Sequence, residues 1–371
     1  MRIWTTMLAL CGAWMLGATP GFTQAAPAQD LGAMLDKALA DRSIPAMAVL
    51  VIRDGRIEGQ AVRGLRAAGG SARADANDVW HIGSDAKAMT ATMIARVVER
   101  GKLSWTAPLS AMLPGVAMRP EYRDVTLVDL LSHLAGLRDL DDTRDAALIA
   151  AAFADRSPLP QQRQAFARMV LNEAPIGPKR ADSVYSNSDY VLAGAIAEAT
   201  TGKSFETLMQ REVFGPLGMK VDFADSAAGQ VLGHKAGIAL TGPHSDNPRL
   251  IAPAGRVKLT MTDWARFAID QMAGEHGKGK LLTATTYRFL HMAQGATNAA
   301  LGWGVKMDWP KGAPMRMLMH AGSNGYWYAL IALAPDRNAG VLIVANAAEG
   351  TGAAQAETGI VMTLMGTIAA R

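Results

Sequence analysis

The chain has 371 residues, of which 50% are hydrophobic, 19% charged and 6% aromatic, and its formal net charge is +4. This length allows one large domain or two smaller ones, and the composition is ordinary for a globular protein with a sizeable core. Lysine and arginine form no dense cluster and aromatic residues are few, which argues against a nucleic-acid-binding protein.

The first segment, residues 1–28, is predicted to be a secretory signal peptide. Arg2 precedes an apolar run from Ile3 to about Ala18, and small residues follow around Ala25 and Ala28. This is the order of a basic start, a short apolar middle and an Ala-x-Ala-like cleavage site. The run is short for a membrane span of about 20 residues. We therefore expect a periplasmic or secreted protein with no stable membrane anchor after cleavage.

The single cysteine, Cys11, lies inside that apolar run. Leu10 before it is too large for a typical lipoprotein cleavage site, so a lipid anchor is not expected. Cleavage of the signal peptide leaves a mature chain without cysteine. This excludes a cysteine nucleophile, a disulfide framework and a cysteine-ligated metal from the mature protein.

The elements after the signal peptide are predicted to be a helix, a β-hairpin and a short strand that leads into a second helix. Asp54-Gly55 is a typical hairpin turn, and Gly101 is a plausible end for the second helix. These segments are Leu31 to Ala40, Ala46 to Arg53, Ile57 to Gly64, Val79 to Ile82, and the helix from Ser84 through Val98.

The middle of the chain is predicted to be mostly helical, and strands return near the C-terminus. The candidate helices are Leu127 to Leu134, Ala146 to Phe153, Gln161 to Asn172, Tyr190 to Thr200, Phe205 to Phe214, Met261 to Met272 and, last, Gly352 to Ala369. The late strands are Gly302 to Met307, Met315 to His320, Tyr326 to Ala334 and Gly340 to Ala345. Val231 to Gly255 is rich in glycine, proline and polar residues and is interpreted as a long surface excursion.

Strands at both ends with helices between them predict an α+β fold. We expect an antiparallel sheet, built from both termini and flanked by helices, with an inserted and mostly helical region. The sheet-containing part is predicted at about 29–83 and 256–371 and the helical part at about 84–255, all within one domain of residues 29–371.

Ser84 and Lys87 are three residues apart at the start of a predicted helix, so they lie on one helix face. A serine hydroxyl is a poor nucleophile until a neighbouring base takes its proton. The pair is therefore a candidate nucleophile and proton acceptor, although serine and lysine on a helix face are more often simply solvated.

Two further stretches add candidate site residues. Tyr185 could act as an acid or base, and Asn187 could hold a substrate carbonyl or the lysine side chain, although this turn also fits ordinary helix capping. His320 and Gly322 lie at the end of a predicted strand, where backbone N–H groups near Ser323 could help form an oxyanion hole.

The order Ser-x-x-Lys, Tyr-x-Asn and His-x-Gly resembles the class C β-lactamase and penicillin-recognising serine hydrolases. The resemblance covers roughly residues 31 to 365. It extends to Leu130 to Leu137, Tyr185 to Tyr190, Thr201 to Phe205, Pro216 to Met219, Pro253 to Arg256 and Thr262 to Phe267. It implies a β-lactamase/transpeptidase-like fold and acyl transfer through an acyl-enzyme, without a metal or other cofactor.

By this similarity Ser84 is the acylated nucleophile, Lys87 is its hydrogen-bonded partner and Tyr185 is the shared acid and base. Asn187, His320, Gly322 and Ser323 would bind substrate, and the backbone N–H groups of Ser84 and Ser323 would form the oxyanion hole. Whether Lys87 is neutral, or stays charged and lowers the pKa of Tyr185, is left open at this point.

Two residues depart from the family pattern. His320 stands where class C β-lactamases have a lysine facing the β-lactam carboxylate, and an ordinary histidine is only about one-quarter charged at pH 7. Asp85 follows the nucleophile directly, where we expect either a favourable helix N-terminal charge or an anion beside the site. Both departures weaken the case for turnover of anionic β-lactams.

The leading hypothesis is a secreted serine hydrolase that cleaves esters or amides in a small-molecule or peptide substrate. The alternatives are a true β-lactamase, a D-alanyl-D-alanine carboxypeptidase or a non-catalytic binding protein on the same fold. The absence of a Gly-x-Ser-x-Gly motif argues against an α/β-hydrolase, and no metal-binding spacing is present. The other histidines are expected to be structural or surface residues: His81, His133, His234, His244, His276 and His291.

Overall fold

The computed structural model describes residues 30–370, except 41, 141–143, 308, 310–314 and 349. The predicted signal peptide lies outside these residues. From Leu31 onward the chain forms one compact unit. Among the described residues, none of the helices combines the length and apolar character that crossing a membrane requires.

The strands form one large antiparallel sheet and two small ones. In chain order they are β1 (Ala46–Arg53), β2 (Arg56–Gly64), β3 (Trp80–His81), β4 (Val221–Asp222), β5 (His234–Lys235), β6 (Ile238–Ala239), β7 (Lys258–Leu259), β8 (Gly304–Lys306), β9 (Met317–Ser323), β10 (Tyr328–Ala334) and β11 (Ala339–Ala345). The large sheet has the order β2-β1-β11-β10-β9-β8. The N-terminal hairpin therefore pairs with the C-terminal strands, as the sequence predicts. In this pairing Val49 lies opposite Ile343.

The α-helices are α1 (Leu31–Ala40), α2 (Ala86–Glu99), α3 (Leu109–Met112), α4 (Leu127–Leu131), α5 (Ala146–Ala154), α6 (Leu159–Val170), α7 (Asn187–Thr201), α8 (Phe205–Met209), α9 (Gly215–Leu217), α10 (Ala252–Gly255), α11 (Met261–Glu275), α12 (Ala284–Leu290) and α13 (Ala353–Ala369). A π-helical turn, Gln210–Phe214, joins α8 to α9. A 3₁₀ turn, Gly83–Asp85, precedes α2.

The strands β1, β10 and β11 of the large sheet are buried on both faces, and their side chains alternate between two cores. In β1, Ala48 and Leu50 belong to the larger core that contains α2, α7 and α11. Met47 and Val49 belong to the smaller core with α1 and α13. This double burial explains why β1 and β11 have almost continuous apolar sequences rather than alternating ones.

Helix α2 lies inside the larger core. Every residue from Ala86 to Ala95 is buried, including Lys87. The helix is held on several sides, by α7, α10 and the sheet strand β9 through the preceding turn. The Lys87 amine is therefore desolvated, and this desolvation affects its protonation state.

The interpretation of Val231 to Gly255 as a surface excursion is wrong for much of its length. The segment contains β5, β6 and α10, and His234, Ser245, Asp246 and Ala254 are buried. Glycine, proline and polar residues indicate turns, but buried polar side chains are tolerated where they find partners. The contacts of Asp246 supply such partners.

Candidate active site

The structure brings Ser84, Lys87, Tyr185 and Asn187 together. Ser84 Oγ lies 2.6 Å from Tyr185 Oη and 3.0 Å from Lys87 Nζ. Lys87 Nζ also donates hydrogen bonds to Asn187 Oδ1 at 2.7 Å and to the Ala254 carbonyl at 2.6 Å. The sequence motifs therefore meet within hydrogen-bonding distance, although about 100 residues separate Ser84 from Tyr185.

Lys87 is arranged to accept a proton from Ser84. A neutral amine has two N–H groups, and two neighbours of Nζ, Asn187 Oδ1 and the Ala254 carbonyl, can only accept hydrogen bonds. If these take both protons, the lone pair is left for the Ser84 hydroxyl. Burial lowers the pKa of Lys87 to about 7, against the opposing effects of Asp139, Asp189 and Asp85, so the neutral amine is well populated near neutral pH.

Tyr185 is held as a neutral phenol. The residue as a whole is 44% exposed, but its hydroxyl lies between Ser84 and Asn187. Burial of that hydroxyl raises the pKa of Tyr185 above its ordinary value, although the hydrogen bond with Ser84 acts in the opposite direction. Of the two alternatives left open by the sequence, this geometry favours a neutral Lys87 as base and a phenolic Tyr185 as proton donor.

The Tyr185 to Asn187 turn both caps a helix and carries site residues. Ser186 is the N-cap of α7, and its hydroxyl accepts the Ser188 N–H at 3.1 Å. Capping fixes the direction of the chain at Asn187, the first helical residue. The helix-capping interpretation is confirmed, and the same turn places Tyr185 beside Ser84 and Asn187 beside Lys87.

Asp139, which the sequence analysis missed, sets the orientation of Asn187. Asp139 Oδ1 accepts the Asn187 backbone N–H at 2.8 Å, and Oδ2 accepts the Asn187 side-chain N–H at 3.2 Å. With Nδ2 directed at a carboxylate, Oδ1 faces Lys87. No local pattern marks Asp139, because its role depends on a contact 48 residues along the chain.

His133 supports the Tyr185 ring from below the turn and is structural, as the sequence predicts. The two ring centroids are 4.7 Å apart. His133 Nδ1 accepts the Ser186 N–H at 3.2 Å and lies 2.8 Å from Asp189 Oδ2. Burial lowers the pKa of His133 and raises that of Asp189, so this pair is neutral.

Three glycines let the backbone pack tightly around the nucleophile. Gly83 has φ of +51°, and a Cβ there would lie 2.4 Å from the Ser323 nitrogen. A Cβ on Gly322 would lie 2.8 Å from the Ser84 nitrogen, and one on Gly255 would lie 3.1 Å from the Gly83 carbonyl carbon. The backbones of Ser84 and Ser323 are therefore neighbours, as an oxyanion hole formed by their two N–H groups requires.

His320 differs from the expectation of a partly charged histidine. Its Nδ1 lies 2.9 Å from the Ala321 carbonyl, which can only accept, so Nδ1 carries a proton and Nε2 is left as an acceptor. Burial, with a smaller effect from Lys87, lowers the pKa of His320 to about 3. The side chain is therefore uncharged at neutral pH rather than one-quarter charged.

Asp85 also differs from both roles expected of it. It makes no side-chain capping bond to α2, and its side chain is completely buried, with Oδ1 lying 3.2 Å from His320 Nδ1. Burial raises the pKa of Asp85 well above its ordinary value, although Lys87 acts in the opposite direction. The residue is thus part of the packing beneath His320, not a solvated anion beside the substrate.

A cleft of about 520 Å³ adjoins the site and is lined by Tyr185, His320, Trp303 and the segment 296–300. Among the described residues that line it, Asp182 is the one acidic residue, and neither lysine nor arginine is present. In the part of the chain that the structure describes, His, Cys, Asp and Glu side chains form no cluster of three or more that could hold a metal ion.

The neutral state of His320 predicts how substrate charge affects the pH profile. For a pair of matched esters, one with a carboxylate and one without, the ratio of their kcat/KM values should stay constant within about twofold from pH 6 to 8, because His320 does not titrate there. The ratio cancels the titration of Lys87. His320→Lys should raise the ratio in favour of the anionic ester. A wild-type ratio that climbs as pH falls to 6 would show that His320 gains charge.

The comparisons with known proteins identify the family of the chain. The chain matches the family model described as Beta-lactamase over residues 31–362. It is 26% identical to penicillin-binding protein 4 of Amycolatopsis lactamdurans over 85% of this chain and 84% of that protein. It is 27% identical to a beta-lactamase of Pseudomonas fluorescens over 73% of this chain and 80% of that protein.

Among solved structures, the fold is similar to that of the octameric penicillin-binding protein homologue from Pyrococcus abyssi. The TM-score is 0.72 at 21% sequence identity, and the match covers 92% of this chain and 77% of that one. This likeness confirms the predicted β-lactamase/transpeptidase-like fold. With the family match over most of its length, the chain belongs to the beta-lactamase family of serine hydrolases.

Proposed function

We propose that the protein is a secreted hydrolase that cleaves uncharged esters or amides through an acyl-enzyme on Ser84. The observation that carries the proposal is the hydrogen bonding of Lys87, whose two acceptor-only neighbours leave its lone pair for the Ser84 hydroxyl. Membership of a serine hydrolase family supports catalysis over a binding role. The secreted location rests on the sequence pattern of residues 1–28.

In the proposed mechanism Lys87 takes the proton of Ser84 as Oγ attacks the substrate carbonyl carbon. The carbonyl oxygen becomes negative and binds the backbone N–H groups of Ser84 and Ser323. Tyr185 then protonates the leaving group, the bond to that group breaks, and Lys87 returns a proton to Tyr185. A water molecule next attacks the acyl carbon and gives its proton to Lys87. The bond between the acyl carbon and Ser84 Oγ then breaks, and Oγ takes that proton back from Lys87.

The preference for an uncharged substrate follows from the charges near the cleft. A β-lactam and a D-alanyl-D-alanine peptide each present a carboxylate, which a cation should neutralise. His320 is uncharged at neutral pH, and the cleft-lining residues within the described part of the chain include neither lysine nor arginine. A neutral ester or amide needs no such partner.

A substrate panel with intact-protein mass spectrometry tests this proposal. The panel contains a short-chain nitrophenyl ester, a chromogenic cephalosporin, a penicillin and a D-alanyl-D-alanine peptide. We expect turnover of the ester, an acyl adduct on the intact chain, and kcat/KM for the cephalosporin lower by at least about 100-fold, because one unpaired buried charge costs several kcal/mol.

Each alternative gives a different result in the same panel. Faster turnover of the cephalosporin than of the ester would identify a β-lactamase. A stable penicillin adduct with turnover of the peptide would identify a D-alanyl-D-alanine carboxypeptidase. No adduct with any of these compounds would leave a non-catalytic binding protein.

A further inference from the structure

A second cluster of polar side chains, two of them buried and one partly buried, adjoins the nucleophile turn and has no part in the mechanism above. It consists of His81 on β3, Asp246 in the segment before α10, and Asn324 directly after β9. His81 and Asp246 are each only 1% exposed. Their arrangement connects two separate backbone segments of the site.

The hydrogen bonds of His81 define where its ring proton lies. Nδ1 accepts the backbone N–H of Gly83 at 3.0 Å, so it carries a lone pair. Nε2 lies 2.8 Å from Asp246 Oδ1, a separation at which two lone pairs would repel. The proton is therefore on Nε2 and the ring is neutral. Because the ring contacts Asp246 on one side and the Gly83 N–H on the other, the position of Asp246 determines that of the Gly83 peptide, directly before Ser84.

Asp246 is also connected to the backbone segment that carries the second N–H group of the oxyanion hole, that of Ser323. Its Oδ1 accepts the Asn324 side-chain N–H at 3.2 Å. Asn324 Oδ1 in turn accepts the backbone N–H groups of Tyr326 at 3.1 Å and Trp327 at 3.2 Å. These bonds fix the turn that follows Ser323.

The charges around Asp246 suit an ionised carboxylate. Burial by itself raises its pKa, but the hydrogen bond from His81 and the positive charge of Arg256 together outweigh burial, so that the pKa of Asp246 lies below its ordinary value. Arg256 Nε is 3.9 Å from Oδ2. A carboxylate can accept from His81 and Asn324 at once, which a neutral side chain does less well.

We propose that Asp246 is a positioning residue that sets the spacing of the oxyanion hole. Through His81 and Gly83 it fixes the Ser84 N–H, and through Asn324 it fixes the Ser323 N–H. The close contact of Gly83 with the Ser323 backbone makes that spacing sensitive to either connection. The inference rests on the proposed function, because it assigns these two N–H groups to the transition state.

The test compares Asp246→Ala and Asp246→Asn with the wild type. The measurements are kcat and KM for a nitrophenyl ester, the affinity of phenylboronic acid, whose tetrahedral adduct places an oxygen in the hole, and the rate of phosphonylation by a fluorophosphonate. For Asp246→Ala we expect kcat, boronate affinity and phosphonylation rate each to fall by about 30-fold, with KM within about threefold. Asp246→Asn keeps an acceptor oxygen and should recover to within about fivefold of wild type.

Glu275→Ala is the matched control, because it breaks another buried histidine–carboxylate contact, at 2.6 Å from His291, away from Ser84. It should lower the melting temperature and leave all three readouts unchanged. If Asp246→Ala behaves in the same way, or raises KM alone, the positioning role is overturned.

Asn324→Ala provides a second variant if Asp246→Ala does not fold. It removes one of the two connections and should lower boronate affinity and phosphonylation by about tenfold; no change would overturn the connection to Ser323. The fluorophosphonate readout needs no substrate. Wild type that reacts with it but hydrolyses no ester would therefore reject the proposed function while still testing Asp246.

Discussion

Ser84→Ala is expected to reduce ester hydrolysis by at least about 10⁴-fold, because it removes the atom that forms the acyl-enzyme. Ser84 Oγ contacts both Tyr185 Oη and Lys87 Nζ, so the hydroxyl of Tyr185 is the first candidate to replace it. The measurement is kcat/KM together with the intact mass after incubation with the ester. The mutant should show neither turnover nor an added acyl group.

Ser132→Ala is the matched control for this change. Ser132 is also buried, but its hydroxyl bonds to the Val128 carbonyl within the α4 region. It should keep activity within about threefold. An acyl adduct that persists in Ser84→Ala would move the nucleophile to another residue, with Tyr185 first to be examined.

Lys87→Met is expected to lower the acylation rate by about 10³-fold, within the range for loss of a general base. In wild type, kcat/KM for a neutral ester should increase about tenfold for each unit by which the pH is raised towards 7, and should level off above pH 7. The sign follows from the pKa of Lys87, which burial lowers to about 7, and from the requirement that the base be deprotonated. Lys87→Met should lose this dependence.

Lys87→Arg separates proton transfer from simple charge. Arginine keeps a positive charge but does not give up its proton in proteins. If Lys87 acts as the base, Lys87→Arg should be as impaired as Lys87→Met, with thermal denaturation confirming that both variants fold. Substantial activity in Lys87→Arg, or a wild-type profile without an inflection near pH 7, would contradict the assignment of Lys87 as base.

Much of the fold follows from local sequence patterns. The helix Leu31–Ala40 and the strand Ala46–Arg53 have the predicted bounds, and Asp54 and Gly55 both have positive φ, at 51° and 69°, as a tight hairpin turn between twisted strands requires. The other predicted elements differ from the structure by a few residues at their ends, whereas α12, β4 and β7 have no counterpart in the prediction. The helix expected from Ser84, for example, begins at Ala86, after a 3₁₀ turn.

The segment Val231 to Gly255 shows where local patterns mislead. Its polar residues suggest exposure, yet Asp246 is buried, with His81 and Asn324 close to its Oδ1 and the charge of Arg256 lying 3.9 Å from Oδ2. All three partners are distant in sequence or come from other elements. Composition alone therefore indicates the turns of this segment but not its depth in the fold.

The sequence by itself determined the family and the candidate residues Ser84, Lys87, Tyr185 and Asn187, because their spacing and order are written in the chain. Only the tertiary structure decided their charge states and orientations: a lysine with pKa near 7, a neutral His320 and an Asn187 turned by Asp139. The physical reason is that spacing is a property of the chain, whereas a pKa or a side-chain orientation depends on burial and on groups that folding brings from far along it.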